Sequence, residues 1–409
     1  MGSGIEGPVS GGDSYSADPS AATRSRVNRW SAIIVAGVLV GVGSIFFNVM
    51  PLILSSIAKA RGLTDSQVGL FASFGMGGAL VATLASVLWI RRISWKLLSM
   101  AAALVAATGF AGLMVVGNYE GMLALGFLAG CGQAGMVAPA IAMISDTEVP
   151  SRNFALMVGL QVAVASVLAA VFPAIEGAWS FAGVMGVLTA ITLACAGLAL
   201  ALPAKGTRSE VQPEASGEGK GAASHVPVFL SIGGLLIFYT GITAVWGFAG
   251  ILGEAWGLNQ GQVATAVSVS LGAGLVGALV AGLLADRVRA LSAILFGVLG
   301  LVATYALLGF QGSYLSFLFL LLAMNCFWNV CVAYQAAMVA SFDATGRFTI
   351  LMTAGQTAGA ILGPGLMGLI LDSTEGFIIG LGFASVWLIA SYAMFWKAGR
   401  LGDIPSWAD

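Results

Sequence analysis

Few side chains in this chain have chemistry to offer, and their types are narrow. Asn325, Trp328 and Asn329 stand at i, i+3 and i+4 in an apolar run, which puts two carboxamides and an indole on one face of a helix. Other neutral groups lie inside further apolar runs: Asn48, Gln133, Gln161, Tyr239, Thr243, Trp246 and Gln356. Carboxamides donate and accept hydrogen bonds, and indole and phenol rings stack. Such a set suits reversible binding of a neutral, zwitterionic or aromatic organic solute, with no bond made or broken, so no enzyme is implied. The alternative role for the same amides is to join helices by bonding to one another. The only histidine, His225, lies in a polar stretch, and Cys131, Cys195, Cys326 and Cys331 all lie in apolar runs. Neither a metal site nor a disulfide framework is indicated. A Walker loop and a dinucleotide fingerprint are both missing, and no cofactor is expected.

The elements that must position these groups follow from composition. Of 409 residues, 58% are hydrophobic and 9% charged, with a mean hydropathy of +0.96. A soluble domain carries about 25% charged residues, so the solvent for most of this chain is lipid. The formal charge of −1 and the lack of a basic domain exclude a nucleic-acid partner. A spanning helix needs about 20 mostly apolar residues. Twelve such runs lie near 31–57, 66–90, 95–117, 120–145, 153–175, 178–202, 227–252, 261–285, 291–311, 313–341, 348–371 and 376–397. The period-two alternation of a membrane barrel is absent, which leaves an all-α polytopic membrane protein of twelve transmembrane helices.

Polar stretches divide the chain. Residues 1–29 read as a disordered tail, 30–203 as one six-helix bundle, 204–226 as a linker, 227–399 as a second bundle and 400–409 as a short tail. No cleavable signal is expected, because the first apolar run is too long and lacks a cleavage site. An even number of spans puts both termini on one side. Fifteen of the 17 Lys and Arg residues fall on that side and only Lys59 and Arg61 on the other. By the positive-inside bias both termini are cytoplasmic, in a cell (inner) membrane. Trp30, Trp95 and Trp396, at span ends, are expected to anchor at the lipid–water interface.

The halves repeat at a constant offset of 195: Arg152, Leu156, Met157 and Gln161 map onto Arg347, Leu351, Met352 and Gln356, and Arg92 onto Arg287. Six plus six spans in one orientation imply parallel repeats about an axis along the membrane normal. The segment Gly282-Leu283-Leu284-Ala285-Asp286-Arg287-Val288-Arg289 resembles the loop signature between the second and third helices of each half in the major facilitator superfamily. Gly355, Gly359, Gly363-Pro364 and Gly368 resemble that superfamily's Gly/Pro-rich helix signature, here in the eleventh span. The resemblance covers residues 30 to 399. It implies a secondary carrier, a monomer, whose two bundles rock about a midplane site lined by the first, fourth, seventh and tenth spans.

Three departures bear on subfamily. The first-half loop has Arg91-Arg92 and no Asp; the fourth span has no Arg; the fifth has Pro173 without flanking glycines. They weigh against proton-driven drug export and lean the reading to import of a small organic solute, with protons as the candidate coupling ion. The runner-up is a proton-coupled exporter of hydrophobic compounds, and a non-transporting membrane sensor is a minor alternative. The terminal-side charges suggest a gate. Asp286 is placed to meet the N-terminus of the fifth span near Arg152, and the equivalent contact sets Arg91 or Arg92 against Asp343, with Arg287 and Arg347 beside them. These pairs are expected to latch the outward-facing state.

Overall fold

The computed structural model describes residues 25–206, 225–285, 287–343, 349–374 and 376–402. Asp286, Arg347, most of the linker and most of both tails lie outside the described residues. The helices are α1 (Trp30–Gly43), α2 (Ile45–Asn48), α3 (Met50–Arg61), α4 (Asp65–Trp89), α5 (Trp95–Val115), α6 (Tyr119–Ser145), α7 (Pro150–Leu198), α8 (Val226–Ala255), α9 (Gln260–Leu284), α10 (Ala290–Leu308), α11 (Tyr314–Phe342), α12 (Thr349–Ser373) and α13 (Ile378–Leu401). Ten of these are long and apolar enough to cross a membrane. One of the ten, α7, makes two crossings, and α1 to α3 together make the first, so the twelve expected spans are all accounted for.

Two spans differ from the simple reading. The first crossing is broken at Ser44 (φ −108, ψ 7) and Val49 (φ −107, ψ 19). Pro51, at the start of α3, has no N–H to continue the helical ladder, which explains the second break. The fifth and sixth spans join in one run of helix interrupted at Ser180 (φ 58, ψ −168). The sequence ends one span near 175 and starts the next near 178, but the residue with positive φ is Ser180.

The repeat appears in the helix starts. α4 and α9 begin at Asp65 and Gln260, α5 and α10 at Trp95 and Ala290, and α6 and α11 at Tyr119 and Tyr314, each pair 195 apart. The same offset carries the chemistry that starts them. Thr64 with Gln67 and Asn259 with Gln262 both form reciprocal capping boxes. Asn118 Oδ1 accepts from Gly121 N, and Ser313 Oγ from Ser316 N. Ahead of each capping box sits a left-handed glycine, Gly62 (φ 62) and Gly257 (φ 80), which lets the chain reverse without a Cβ clash.

In the first half α4 packs on α6, α5 on α6 and α7, and α1 on α7; in the second, α8 packs on α12 and α13, α9 on α11, and α10 on α11 and α13. The main contacts between the halves are α4 with α12, α7 with α9, and α3 with α8, with a smaller one of α3 with α9. Small residues set these distances, because lipid offers no hydrophobic drive between helices and close packing must supply the attraction. Gly130 lies on the carbonyl of Gly75, Gly359 on that of Leu236 and Gly363 on that of Thr240. Between the halves, Gly69 lies on the carbonyl of Pro364, Gly368 on that of Asp65 and Gly250 on that of Pro51.

Candidate functional site

A cavity of about 500 Å³ opens between the halves toward the side that carries both described ends. On α4 it is lined by Gly75, Met76, Ala79, Thr83, Ser86 and Ile90, and on α12 by Thr353, Gln356, Thr357 and Ala360. Its blind end is made by Gly43, Ser44, Phe46, Phe47 and Tyr239. Gln133, Ala134, Val137, Ala138, Ile141 and Ala142 of α6 and Gln161 of α7 complete the wall. No lining residue is charged.

Four of the ten expected binding residues line this space: Gln133, Gln161, Tyr239 and Gln356. Gln133 is 3% exposed and donates Nε2–H to Val42 O at 2.9 Å, which fixes its amide plane. Gln161 and Gln356 have no hydrogen-bond partner among the described residues; they join nothing to anything. Of the lining amides, only Gln133 is bonded to another helix, through a backbone carbonyl of α1.

The remaining six lie behind the wall. Asn325, 3% exposed, donates Nδ2–H back to Leu321 O (3.3 Å), and Asn329 Nδ2–H goes to Asn325 O (2.9 Å). Their face turns toward α9, where Gly274 makes room for the Asn329 amide. The three-residue face that heads the sequence argument is thus right about helical spacing, but its two amides bond along their own helix. Thr243 bonds Tyr239 O (2.7 Å) and Gly359 O (3.4 Å) and ties α8 to α12. Asn48 Nδ2 is buried without a partner. Trp328 is the hub of an aromatic cluster, with Phe47, Tyr239 and Trp246 edge-on to it at ring-centroid distances of 5.9, 6.0 and 6.2 Å. Trp246 is 1% exposed and donates Nε1–H to Phe47 O at 3.0 Å. The cluster backs the blind end with rigid apolar rings from both halves.

Beyond the blind end the halves are sealed. Glu254 of α8 accepts from Ser55 (2.6 Å) and pairs with Lys59. Within the first half, Glu176 of α7 accepts from Ser56 of α3 beside this pair. Asp372 accepts from the backbone N–H of Asp65 at 3.0 Å, at the positive end of the α4 dipole. Lys59 stands out in the sequence only as a charge on the side opposite the termini; nothing local announces that it meets Glu254.

The line between sealed and open is drawn by serines. Ser73 Oγ donates to Ile361 O at 2.6 Å, joining α4 to α12, and past this point the two helices part to line the cavity. On the other flank Ser268 Oγ donates to Ser166 O (2.8 Å) and Ser166 Oγ to Ser268 O (3.1 Å), joining α9 to α7. Residue 73 maps onto 268 and 166 onto 361 at the offset of 195, so the two clasps are one contact made twice.

Two of the terminal-side arginines bond to partners within their own half. Arg91 makes a two-pronged ion pair with Asp146 of its own half, at 2.8 and 3.1 Å, and lies over the Trp95 ring at 5.7 Å. Arg152 donates to Asn153 Oδ1 (3.3 Å) and covers the Trp30 ring at 5.1 Å. Arg92 and Arg287 are exposed, and Asp343 is 8% exposed. Asp286 and Arg347 lie outside the described residues. The expectation that Trp95 anchors at the interface is corrected: it is 1% exposed, with Nε1–H on Ile90 O at 2.8 Å and Arg91 above it, so its ring belongs to the core.

The Major Facilitator Superfamily profile matches residues 33–236. Among solved structures, the chain is similar to a bacterial homologue of the human lysosomal transporter Spinster in an inward-facing, unoccupied conformation, at 13% identity and a TM-score of 0.70, with 93% of this chain and 97% of that one covered. It is also similar to a mutant of the nucleoside transporter NupG, at 11% identity and a TM-score of 0.68, with 90% and 100% covered. No curated protein matches.

Proposed function

The chain belongs to the major facilitator superfamily, and from that premise we propose that it carries a small uncharged organic solute across the cell's inner membrane by alternating access, as a monomer, with import the favoured direction. The observation that carries this reading is the one-sided cavity: open between the halves on the terminal side and sealed on the other by Lys59 with Glu254, Asp65 with Asp372 and the glycine contacts. The excess of Lys and Arg on the terminal side supports reading that side as cytoplasmic, and on that reading this conformation is the inward-open one. The lack of charge on the wall supports an uncharged cargo, since a carboxylate or phosphate wants an Arg or Lys and a cation wants an acid. In the opposite state the terminal-side charges (Arg91, Arg92, Arg152, Asp286, Arg287, Asp343 and Arg347) approach one another as the cavity closes, and Arg91 exchanges its partner.

The predominance of Ala, Val, Ile, Met and Phe on the wall favours, as a second reading, export of a hydrophobic compound. One experiment tests both. Thr353→Cys on the wall and Ser55→Cys at the seal, on a cysteine-free background in oriented membranes, are labelled with an impermeant maleimide from each side. Position 353 is expected to react from the cytoplasmic side only and position 55 only under conditions that drive turnover. Simultaneous reaction of both in the resting protein would overturn alternating access. Counterflow in proteoliposomes, in which accumulation follows an outward or inward gradient, then assigns direction.

A further inference from the structure

Gln161 and Gln356 are equivalent residues, 195 apart, and neither has a hydrogen-bond partner among the described residues. In two halves related by a two-fold axis, equivalent residues sit on opposite sides of that axis. A solute lying on the axis therefore has one free carboxamide at each end. Each amide offers a donor pair and an acceptor, so each end can take a hydroxyl, a carbonyl or an amide.

The rest of the wall says what lies between the ends. Ser86 and Thr357 spend their hydroxyl hydrogens on carbonyls of their own helices (Thr83 O at 2.6 Å and Thr353 O at 2.9 Å). The blind end presents Phe46, Phe47 and Tyr239. A monosaccharide carries about five hydroxyls, and each one buried without a partner costs about 1–3 kcal/mol; beyond the two glutamines, the hydroxyls of Ser44, Thr83, Thr353 and Tyr239 are single groups spread over an otherwise apolar wall, which suits a solute with fewer polar groups. An ion meets no counter-charge at all. A volume of about 500 Å³ falls within the range of small-molecule sites.

We infer that the cavity takes an uncharged, ring-bearing solute with a hydrogen-bonding group at each of two opposite ends, held end-on by Gln161 and Gln356, with its apolar body against the aromatic wall. This rests on the reading of the cavity as the transport site and narrows it to a chemical class.

The test uses purified full-length protein and the probes 4,4′-dihydroxybiphenyl (two ends), 4-phenylphenol (one end), glucose, benzoate and tetraphenylphosphonium, with binding followed by thermal stabilisation and tryptophan quenching. The two-ended probe is expected to bind roughly tenfold more tightly than the one-ended probe. Gln161→Ala or Gln356→Ala alone should bring the two-ended probe down to the one-ended level. Either single variant should cost the one-ended probe no more than about twofold, because the remaining glutamine still serves it. Absence of two-ended binding, or tighter Gln-dependent binding of glucose, benzoate or tetraphenylphosphonium, overturns the class while leaving the cavity as the site. Binding of any probe that is unchanged in the Gln161→Ala/Gln356→Ala double variant overturns both the class and the placement of the site. Thermal stability of the free variants close to the parent's shows that the losses come from binding and not from folding.

Discussion

Trp246 donates its indole N–H to the carbonyl of Phe47, and that carbonyl lacks its helical donor because Pro51, four residues on, has no N–H to give. The bond crosses from one half of the protein to the other. Pro51 and Trp246 are themselves equivalent positions in the repeat, so a break on one side of the axis is filled by a side chain from its counterpart. Trp246→Phe keeps the ring and deletes the donor. We expect it to weaken the closed outer end by about 1–2 kcal/mol, read as a lower unfolding temperature and faster labelling at position 55. Pro51→Ala should have the same effect by supplying a competing backbone donor; unchanged labelling in both would show that the bond does not hold the seal.

Gly69 and Gly368 allow the outer ends of α4 and α12 to meet backbone to backbone, and a Cβ at either would strike a carbonyl. Gly69→Val or Gly368→Val should leave a folded protein that cannot close its outer end. The expected result is a gain of labelling at position 55 from the outside and a loss of transport of at least tenfold, since a state that cannot be reached is removed from the cycle.

Ser73→Ala and Ser268→Ala each remove one inter-half hydroxyl bond. Hydrogen bonds of this kind between membrane helices average about 0.6 kcal/mol, so each single variant should shift the balance of the two states only slightly. Because the clasps are symmetry mates on opposite flanks, both singles should shift it by similar amounts and the double by about the sum. A large effect of one and none of the other would show that the halves do not turn about both.

Asn325→Ala and Asn329→Ala provide the contrast to the glutamines. Their amides bond along α11 and face α9, so removing them should change stability by about 1 kcal/mol and leave solute binding unaffected. Loss of binding without loss of stability in Asn325→Ala would return that residue to the site.

How much of this was legible beforehand can be traced residue by residue. Apolar length, charge bias and the 195 offset carry the twelve spans and their arrangement, because in lipid the backbone has no other way to satisfy itself. The capping boxes at Thr64 and Asn259 are local and can be read from sequence. The rotation of each helix about its own axis is not local. Asn325 and Asn329 share a face by spacing alone, but which neighbour that face meets is decided by where Gly274 and Gly277 let α9 approach. Gln161 and Gln356 were distinguishable from them only as scarce residues repeated at the offset. The pairing of Arg91 with Asp146 and of Lys59 with Glu254 joins loops and ends far apart in sequence, and charge alone does not choose among the available partners.

Lys59 and Glu254 are also 195 apart, so the ion pair across the outer seal is formed by one position with its own counterpart. A symmetric pairing of two first halves would set lysine against lysine there, and two second halves would set glutamate against glutamate. This place where a position meets its own image carries opposite signs, so each half discriminates against a second copy of itself. Split into two polypeptides, the halves would be expected to recover the mixed pair in preference to either matched one.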